Sequence, residues 1–289
     1  MTYGESGGHS TYSYSPRLTM KNRNKQESKE GYCSFCDKTG IVKNPHYMVM
    51  GEDPLTPCPK CVAPLCRCGG EDPYFIYKDG TIEDCSCRET RMKIARIKRI
   101  YLQSGIDKKY QWKFLGDFES LNKSTADAKN TAYDIVKNYP AVKKGLFLWG
   151  NPGTGKTLLA SIVLTELIMH RAVDGKFIKI SRTFFNRLKA TFVEGSETYG
   201  ESAKIEQELA EVDVLIIDDF GVQRDSPWEQ ETLYNLVDAR YEGEKFTIFT
   251  SNNNPLKNLQ ELSQGRILSR IKEMSRIMEL SGEDYRNKL

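Results

Sequence analysis

No apolar run in the 289 residues approaches the roughly 20 needed to cross a bilayer. The first residues also lack the apolar core of an export signal, so the chain is expected to be cytoplasmic and without a membrane partner. Residues 1–30 have almost no aliphatic side chains: after Met1 only Leu18 and Met20 interrupt a stretch rich in Ser, Tyr, Gly and Asn. Such a stretch cannot bury enough apolar surface to order itself and reads as a disordered arm. Cysteine is absent after position 87, which leaves the larger part of the chain without thiol chemistry or disulfides. Acidic residues are scarce between Arg88 and Lys113, where only Glu89 and Asp107 face nine Lys and Arg residues. A basic helix over 88–104, ended by Gly105, and a linker to residue 121 follow from this stretch. Its excess charge suits phosphate backbones or plain solvation. A net charge of +3 says little about partners.

All 8 cysteines lie between Cys33 and Cys87, in the pairs Cys33/Cys36, Cys58/Cys61, Cys66/Cys68 and Cys85/Cys87. In a chain with no export signal, paired cysteines read as metal ligands before disulfides. Two tetrahedral Zn²⁺ sites of four thiolates each would use them all. A faint internal repeat favours two sequential ribbons, 33/36/58/61 and 66/68/85/87. A nested arrangement, 33/36/85/87 around 58/61/66/68, stays open, as does a ligand role for His46. A segment of this size has little core, so residues 31–87 are expected to form a zinc-ribbon-like domain folded by its metal.

The remainder turns on GNPGTGKT, Gly150 to Thr157. The apolar run Leu146–Trp149 precedes it, and a helical apolar pattern from Leu158 to Ile168 follows. Gly150, Gly153 and Gly155 let the backbone curl so that N–H groups point inward, and the following helix adds its positive dipole end. This is a phosphate-binding loop. Gly150, Asn151, Pro152, Gly153, Thr154, Gly155, Lys156, Thr157 and Leu158 form the expected ATP-contact set. Lys156 is assigned to the β- and γ-phosphates and the Thr157 hydroxyl to Mg²⁺.

Downstream, four apolar residues, Val214–Ile217, end in Asp218 and Asp219. A short continuous apolar run reads as a strand buried on both faces, and ligands gather at the carboxyl ends of such strands. Asp218 is therefore the candidate magnesium ligand and Asp219 the candidate that orients the attacking water. Strands are expected near 146–149, 177–180, 213–217, 246–250 and 276–280. Helices are expected over 156–171, 182–192, 202–211, 227–241, 256–263 and 265–273, with an earlier one opened by Ser124 and closed before Pro140. This alternation implies an α/β fold with a parallel sheet flanked by helices. Asn252 follows the fourth of these strands, Arg266 and Arg270 stand one helical turn apart, and Arg286 lies in GEDYR.

The order GNPGTGKT, VLIIDDFGVQ, TSN, GRILSRI and GEDYR resembles the AAA+ ATPases of the DnaC/DnaI helicase-loader group, with the transposition helper IstB as a cousin. The resemblance covers roughly residues 88–289 and implies an AAA+ domain over 122–289 with a five-stranded sheet. It implies that Asn252 is sensor 1, that Arg270 is an arginine finger offered to a neighbouring subunit, and that Arg286 is sensor 2. Self-association through the AAA+ interface and a hexameric replicative helicase as partner follow from it, the cysteine segment being the helicase contact in zinc-containing loaders. The helix with Phe184, Phe185, Arg187, Lys189 and Phe192 lies where such loaders contact single-stranded DNA, and aromatics among cations suit bases and phosphates. An IstB-like helper that binds DNA and a transposase, and a zinc-ribbon adaptor with a vestigial ATP site, are the alternative readings. The shorter Asp219, where many AAA+ proteins have glutamate, suits slow hydrolysis and a nucleotide switch.

Overall fold

Val214, Leu215, Ile216 and Ile217 are completely buried, as a strand covered on both faces requires. The computed structural model describes residues 33–36, 38–44, 53–180, 184–221, 226–258 and 265–285. The expected N-terminal arm lies outside them. The chain divides into two units between Ile94 and Ala95.

The first unit is built from two small antiparallel ribbons. β1 (Ile41–Lys43) pairs with β2 (Leu55–Pro57), and β3 (Phe75–Lys78) pairs with β4 (Thr81–Asp84). The tight turn of the second ribbon is Asp79-Gly80, both with positive φ, as a two-residue hairpin turn demands. The buried residues at the centre of this unit are Cys36, Cys58, Val62, Cys85 and Cys87. A helix α1 (Arg88–Gln103) follows and carries the division between the units.

The second unit holds a five-stranded, wholly parallel sheet. Its strands are β5 (Gly145–Trp149), β6 (Gly175–Lys179), β7 (Val214–Asp218), β8 (Phe246–Ser251) and β9 (Ser275–Glu279), in the order β6-β7-β8-β5-β9. Each expected strand is present, with ends shifted by a residue or two. The helices are α2 (Lys123–Asn138), α3 (Lys156–Arg171), α4 (Phe185–Ala190), α5 (Ser202–Glu211), α6 (Pro227–Glu242), α7 (Pro255–Asn258) and α8 (Arg266–Met274). Strand alternation sorts the core. Phe147, Leu215, Ile217 and Phe249 face a cluster with Leu188, Leu209, Leu233, Val237, Ile267 and Ile271 from α4, α5, α6 and α8. Their neighbours Leu146, Leu148, Val214, Ile216 and Ile248 are equally buried and fall outside that cluster. They point to the opposite face, where α3 crosses β5, β7 and β8. α3 is apolar almost all round and correspondingly buried from Leu159 to Ile168.

Two expectations change. α2 is opened by Asn122, not Ser124. Asn122 Oδ1 accepts the Thr125 N–H at 3.0 Å, while Thr125 Oγ1 accepts the Asn122 N–H at 3.1 Å. Asparagine caps at least as well as serine, and the reciprocal partner is a threonine rather than Asp127. Of the helix expected over 182–192, Phe185–Ala190 is α-helical and the last two residues form a turn, while 182 and 183 lie outside the described residues. Of the helix expected over 256–263, only α7 falls within the described residues.

Arg240 was not foreseen. It has no exposed surface, and its guanidinium meets acceptors rather than a carboxylate: Thr247 Oγ1 at 2.9 Å and the carbonyls of Leu209 at 2.7 Å, Val212 at 2.9 Å and Phe246 at 2.7 Å. Burial pulls its pKa down to about 9. The side chain thereby closes the carbonyls at the end of α5 and the start of β8. Arg240→Ala leaves buried acceptors unpaired and should cost on the order of 3 kcal/mol, read from urea denaturation midpoints.

Candidate functional site

The phosphate loop lies at the carboxyl end of β5. Gly155, with φ of 92°, caps α3 in the left-handed region, where a side chain would also strike the Phe118 ring. A side chain at Gly150 would run into the Leu280 carbonyl. Lys156 is buried, its Nζ donating to the carbonyls of Gly150 at 2.8 Å and Asn151 at 2.7 Å. Thr154 Oγ1 donates to the Asn151 carbonyl at 2.9 Å. Asn151 and Pro152 are exposed, Gly153, Thr157 and Leu158 half-buried. The Tyr285 N–H donates to the Gly153 carbonyl at 3.1 Å, and the Asp284 carboxylate packs against Gly153, so the stretch with the GEDYR motif rests on the loop.

The pairing of β7 with β8, and of β8 with β5, sets the strand ends side by side. Asp218 Oδ1 accepts the Thr157 hydroxyl at 2.8 Å and the Thr250 hydroxyl at 2.6 Å. Burial pushes the Asp218 carboxyl above the usual carboxylate range, with the Thr250 hydrogen bond and the nearby Asp219 acting in opposite directions on it. A carboxylate beside a hydroxyl is an oxygen donor set that fits a hard divalent cation, and the residues to hold magnesium would be Thr157 and Asp218. Asp219 has φ of 60°, the left-handed region that non-glycine residues seldom occupy. Its N–H donates to Thr250 Oγ1 at 3.1 Å. Thr250 therefore fixes both aspartates, a role that sequence reading missed although the residue stands in TSN. Lys179, opposite Asp218 in the β6–β7 register and bonded to Asp107 at 2.5 Å, is a second residue that it missed. Asn252 is exposed at the end of β8, between the strands bearing Asp218 and the phosphate loop.

Arg270 bonds Asp238 on α6, Nε to Oδ1 at 2.6 Å, and stacks on Tyr241 with the guanidinium carbon 4.6 Å from the ring centre. Arg266 lies 5.3 Å over the Tyr234 ring. Arg286 is outside the described residues. Of the candidate DNA-contacting side chains, Phe184 and Phe185 are 2% exposed and belong to the core, which withdraws them as base-stacking residues. Phe192 is 62% exposed, in edge contact with Trp228, whose ring also lies 5.7 Å from Lys189 Nζ. Lys189 pairs with Glu229 at 2.6 Å, and Arg187 lies 3.9 Å from Glu208.

In the first unit the thiols gather as Cys33/Cys36/Cys58/Cys61 and Cys66/Cys68/Cys85/Cys87, with the sulfurs of each set within 4.8 Å of one another. The sequential pairing is the one present, and the nested one is excluded. Sγ···Sγ distances include 3.8 Å for Cys33–Cys58, 3.5 Å for Cys36–Cys61 and 3.5 Å for Cys66–Cys87. A tetrahedron with Zn–S of about 2.3 Å has edges of about 3.8 Å, so the donor sets fit zinc. Backbone N–H groups point at the sulfurs, from Gly40 to Cys36, Lys60 to Cys58 and Arg67 to Cys85. Such donors, that of Cys87 first, pull Cys85 down to about 5, while burial and neighbouring thiols push Cys87 up to about 12. Four crowded sulfurs cannot all ionise without a cation among them. His46 lies outside the described residues.

A family model described as IstB-like ATP binding protein matches residues 85–289, more than half of the chain. The chain belongs to the IstB-like ATP-binding family. It is similar to the replicative helicase loader DnaC of Escherichia coli (strain K12), 25% identical over 216 residues that cover 74% of this chain and 84% of that one. The uncharacterized protein YqaM of Bacillus subtilis (strain 168) is 25% identical over 257 residues, 81% and 77% of the two chains. Among solved structures, the DnaC helicase loader superposes with a TM-score of 0.51 at 28% identity, covering 61% of this chain and all of that one. DnaI, at 23% identity and TM-score 0.54 over 64% and 98%, shares the fold. This IstB-like chain thus has the AAA+ sheet that its motifs imply, after a cysteine-rich unit suited to zinc. Among the described residues no helix is long and apolar enough to cross a membrane.

Two outcomes follow from these geometries. Thr250→Val removes a hydroxyl from a site with 1% exposure while keeping its shape, and should lower ATP turnover at least tenfold with ATP affinity nearly unchanged, whereas Thr250→Ser should retain most activity. Cys33→Ser with Cys36→Ser should release one of about two zincs per chain. Cys58 and Cys61 should then become reactive to thiol reagents, and the other four cysteines should stay protected.

Proposed function

We propose that this chain is an ATP-dependent loader of a hexameric replicative DNA helicase, working as an ATP/ADP switch. The observation that carries the nucleotide half is the clamp of Thr157 and Thr250 on Asp218 beside the buried Lys156. The loader half is supported by similarity to proteins named replicative helicase loaders across most of their length.

On this reading Lys156 leaves the Gly150 and Asn151 carbonyls to meet the phosphates, and the loop amides hold the oxygens. Thr157 and Asp218 would hold magnesium, which when bound would supply charge neutralisation at the phosphates. Asp219 and Asn252 orient the attacking water, Arg286 answers to the nucleotide, and Arg270 completes the site of a neighbouring subunit. The short Asp219 side chain on a left-handed backbone makes hydrolysis slow, which lets bound nucleotide time the release of cargo. Residues 31–87, on two zincs, provide the helicase-binding domain ahead of the ATPase domain, 122–289. Single-stranded DNA contacts fall to Phe192, Lys189 and Arg187, with Trp228 beside them.

Lys156→Ala should keep the fold, by circular dichroism, and lose ATP binding or turnover. Normal turnover by this variant would defeat the site assignment. The partner is tested by co-purification: recovery of a hexameric helicase supports the loader, and recovery of a transposase instead would replace it with the transposition helper.

A further inference from the structure

The contacts of Arg270 extend to a set of four side chains shared by two helices. Arg270 and Glu273 lie on α8, Asp238 and Tyr241 on α6. Asp238 Oδ1 takes the Nε–H of Arg270, and the Tyr241 ring covers one face of the guanidinium. The Tyr241 hydroxyl in turn donates to Glu273 Oε2 at 2.5 Å, which pins the ring in place. One turn earlier on α8, Arg266 stacks on Tyr234 of α6, so the pattern repeats along the pair of helices. Among the described residues neither terminal nitrogen of Arg270 has a hydrogen bond, and its side chain is 30% exposed.

A guanidinium has five N–H donors in a rigid plane. Gripping it by Nε and by one face fixes the direction of the plane and leaves the two Nη groups to point outward. A bidentate ion pair would engage two N–H groups, Nε with one Nη or the two Nη together, and would be stronger than the single bond at Nε seen here. The single bond at Nε forgoes that gain and keeps the Nη groups available for an anion. We propose that Asp238 and Tyr241 are positioning residues for Arg270: they form a seat that presents its Nη edge to the phosphates held by a neighbouring copy of this chain. The proposal rests on the reading of Arg270 as an arginine that acts between subunits. α6 begins at Pro227, the first described helix after the strand that bears Asp218, so the seat stands on an element that follows the chain's own nucleotide site.

The test uses full-length chains in mixed oligomers verified by light scattering. Asp218→Asn chains hold nucleotide without turning it over and offer an intact Arg270. Arg270→Ala chains have an intact nucleotide site and no arginine to offer. Their mixture should hydrolyse ATP faster than either alone. Adding Asp238→Ala to the Asp218→Asn chain should cut that regained rate roughly tenfold or more, because a guanidinium displaced by about 1 Å loses most of its effect. The same change in the Arg270→Ala chain, whose seat has no arginine to hold, should leave the rate at the parent value. Equal loss in both placements would mean that Asp238 merely stabilises the fold, and no loss in either would mean that the seat is idle; each overturns the proposal. No gain in the parent mixture would remove the trans reading of Arg270, and the seat with it. If Asp238→Ala fails to fold, Tyr241→Leu serves in the same two placements. In unmixed chains Tyr241→Leu should lower kcat with ATP affinity unchanged, and Tyr241→Phe, which keeps the ring over the guanidinium but not the hydroxyl that pins it, should lose less than Tyr241→Leu.

Discussion

Asp218 Oδ1 receives two hydroxyl hydrogen bonds, from the helix that continues the phosphate loop and from the neighbouring strand β8. Because the carboxylate is 2% exposed, each of these bonds acts where water does not compete. The result ties three elements at one atom: β7 through its own backbone, α3 through Thr157 and β8 through Thr250. Thr250 Oγ1 also takes the Asp219 N–H, so the left-handed turn at Asp219 is held by the same hydroxyl. Strain at that turn is tolerated because the surroundings over-determine it. The arrangement depends on the sheet order, which inserts β8 between β7 and β5 and so places Thr250 and Asn252 between the carboxylates and the loop.

The two units obtain their stability differently. The second is held by apolar burial on both faces of the sheet and by Arg240, which closes five hydroxyl and carbonyl acceptors. The buried cluster of the first is four cysteines and Val62. Its outward ribbon face, with Tyr77 and Ile82 largely exposed, contributes nothing to a core. A metal held by such a unit would supply folding energy directly.

Much of this was legible from residue order. The phosphate loop and the aspartate pair are local motifs whose flanking apolar runs specify a strand and a helix, and periodicity located the sheet strands to within a residue or two. Most of what failed was non-local. Phe184 and Phe185 sit beside Arg187 and Lys189 in sequence, yet they face the core while Phe192 faces out, a choice made by the packing of α4 against α5 and α6. Asn122 displaced Ser124 as the helix cap because Thr125 was placed to return its hydrogen bond. In sequence, Thr250 is one β-branched residue in a strand and Arg240 one charge in a helix. Only the strand order and the approach of α5 to β8 reveal what they bind. The zinc pairing needed three-dimensional proximity, since the spacing alone allowed two arrangements.

The phosphate loop is held in place by neighbours that come much later in the chain. The Gly150 N–H bonds the Ser251 carbonyl, the Trp149 carbonyl takes the Leu280 N–H, and the Gly153 carbonyl takes the Tyr285 N–H. On the ribosome, the loop emerges long before any of these. A nascent chain that has just displayed GNPGTGKT has neither the strand that flanks it on one side nor the one on the other. β5 gains both of its sheet neighbours only once β8 and β9 have been made. A chain shortened before β8 would carry the motif without the strands and hydrogen bonds that hold it.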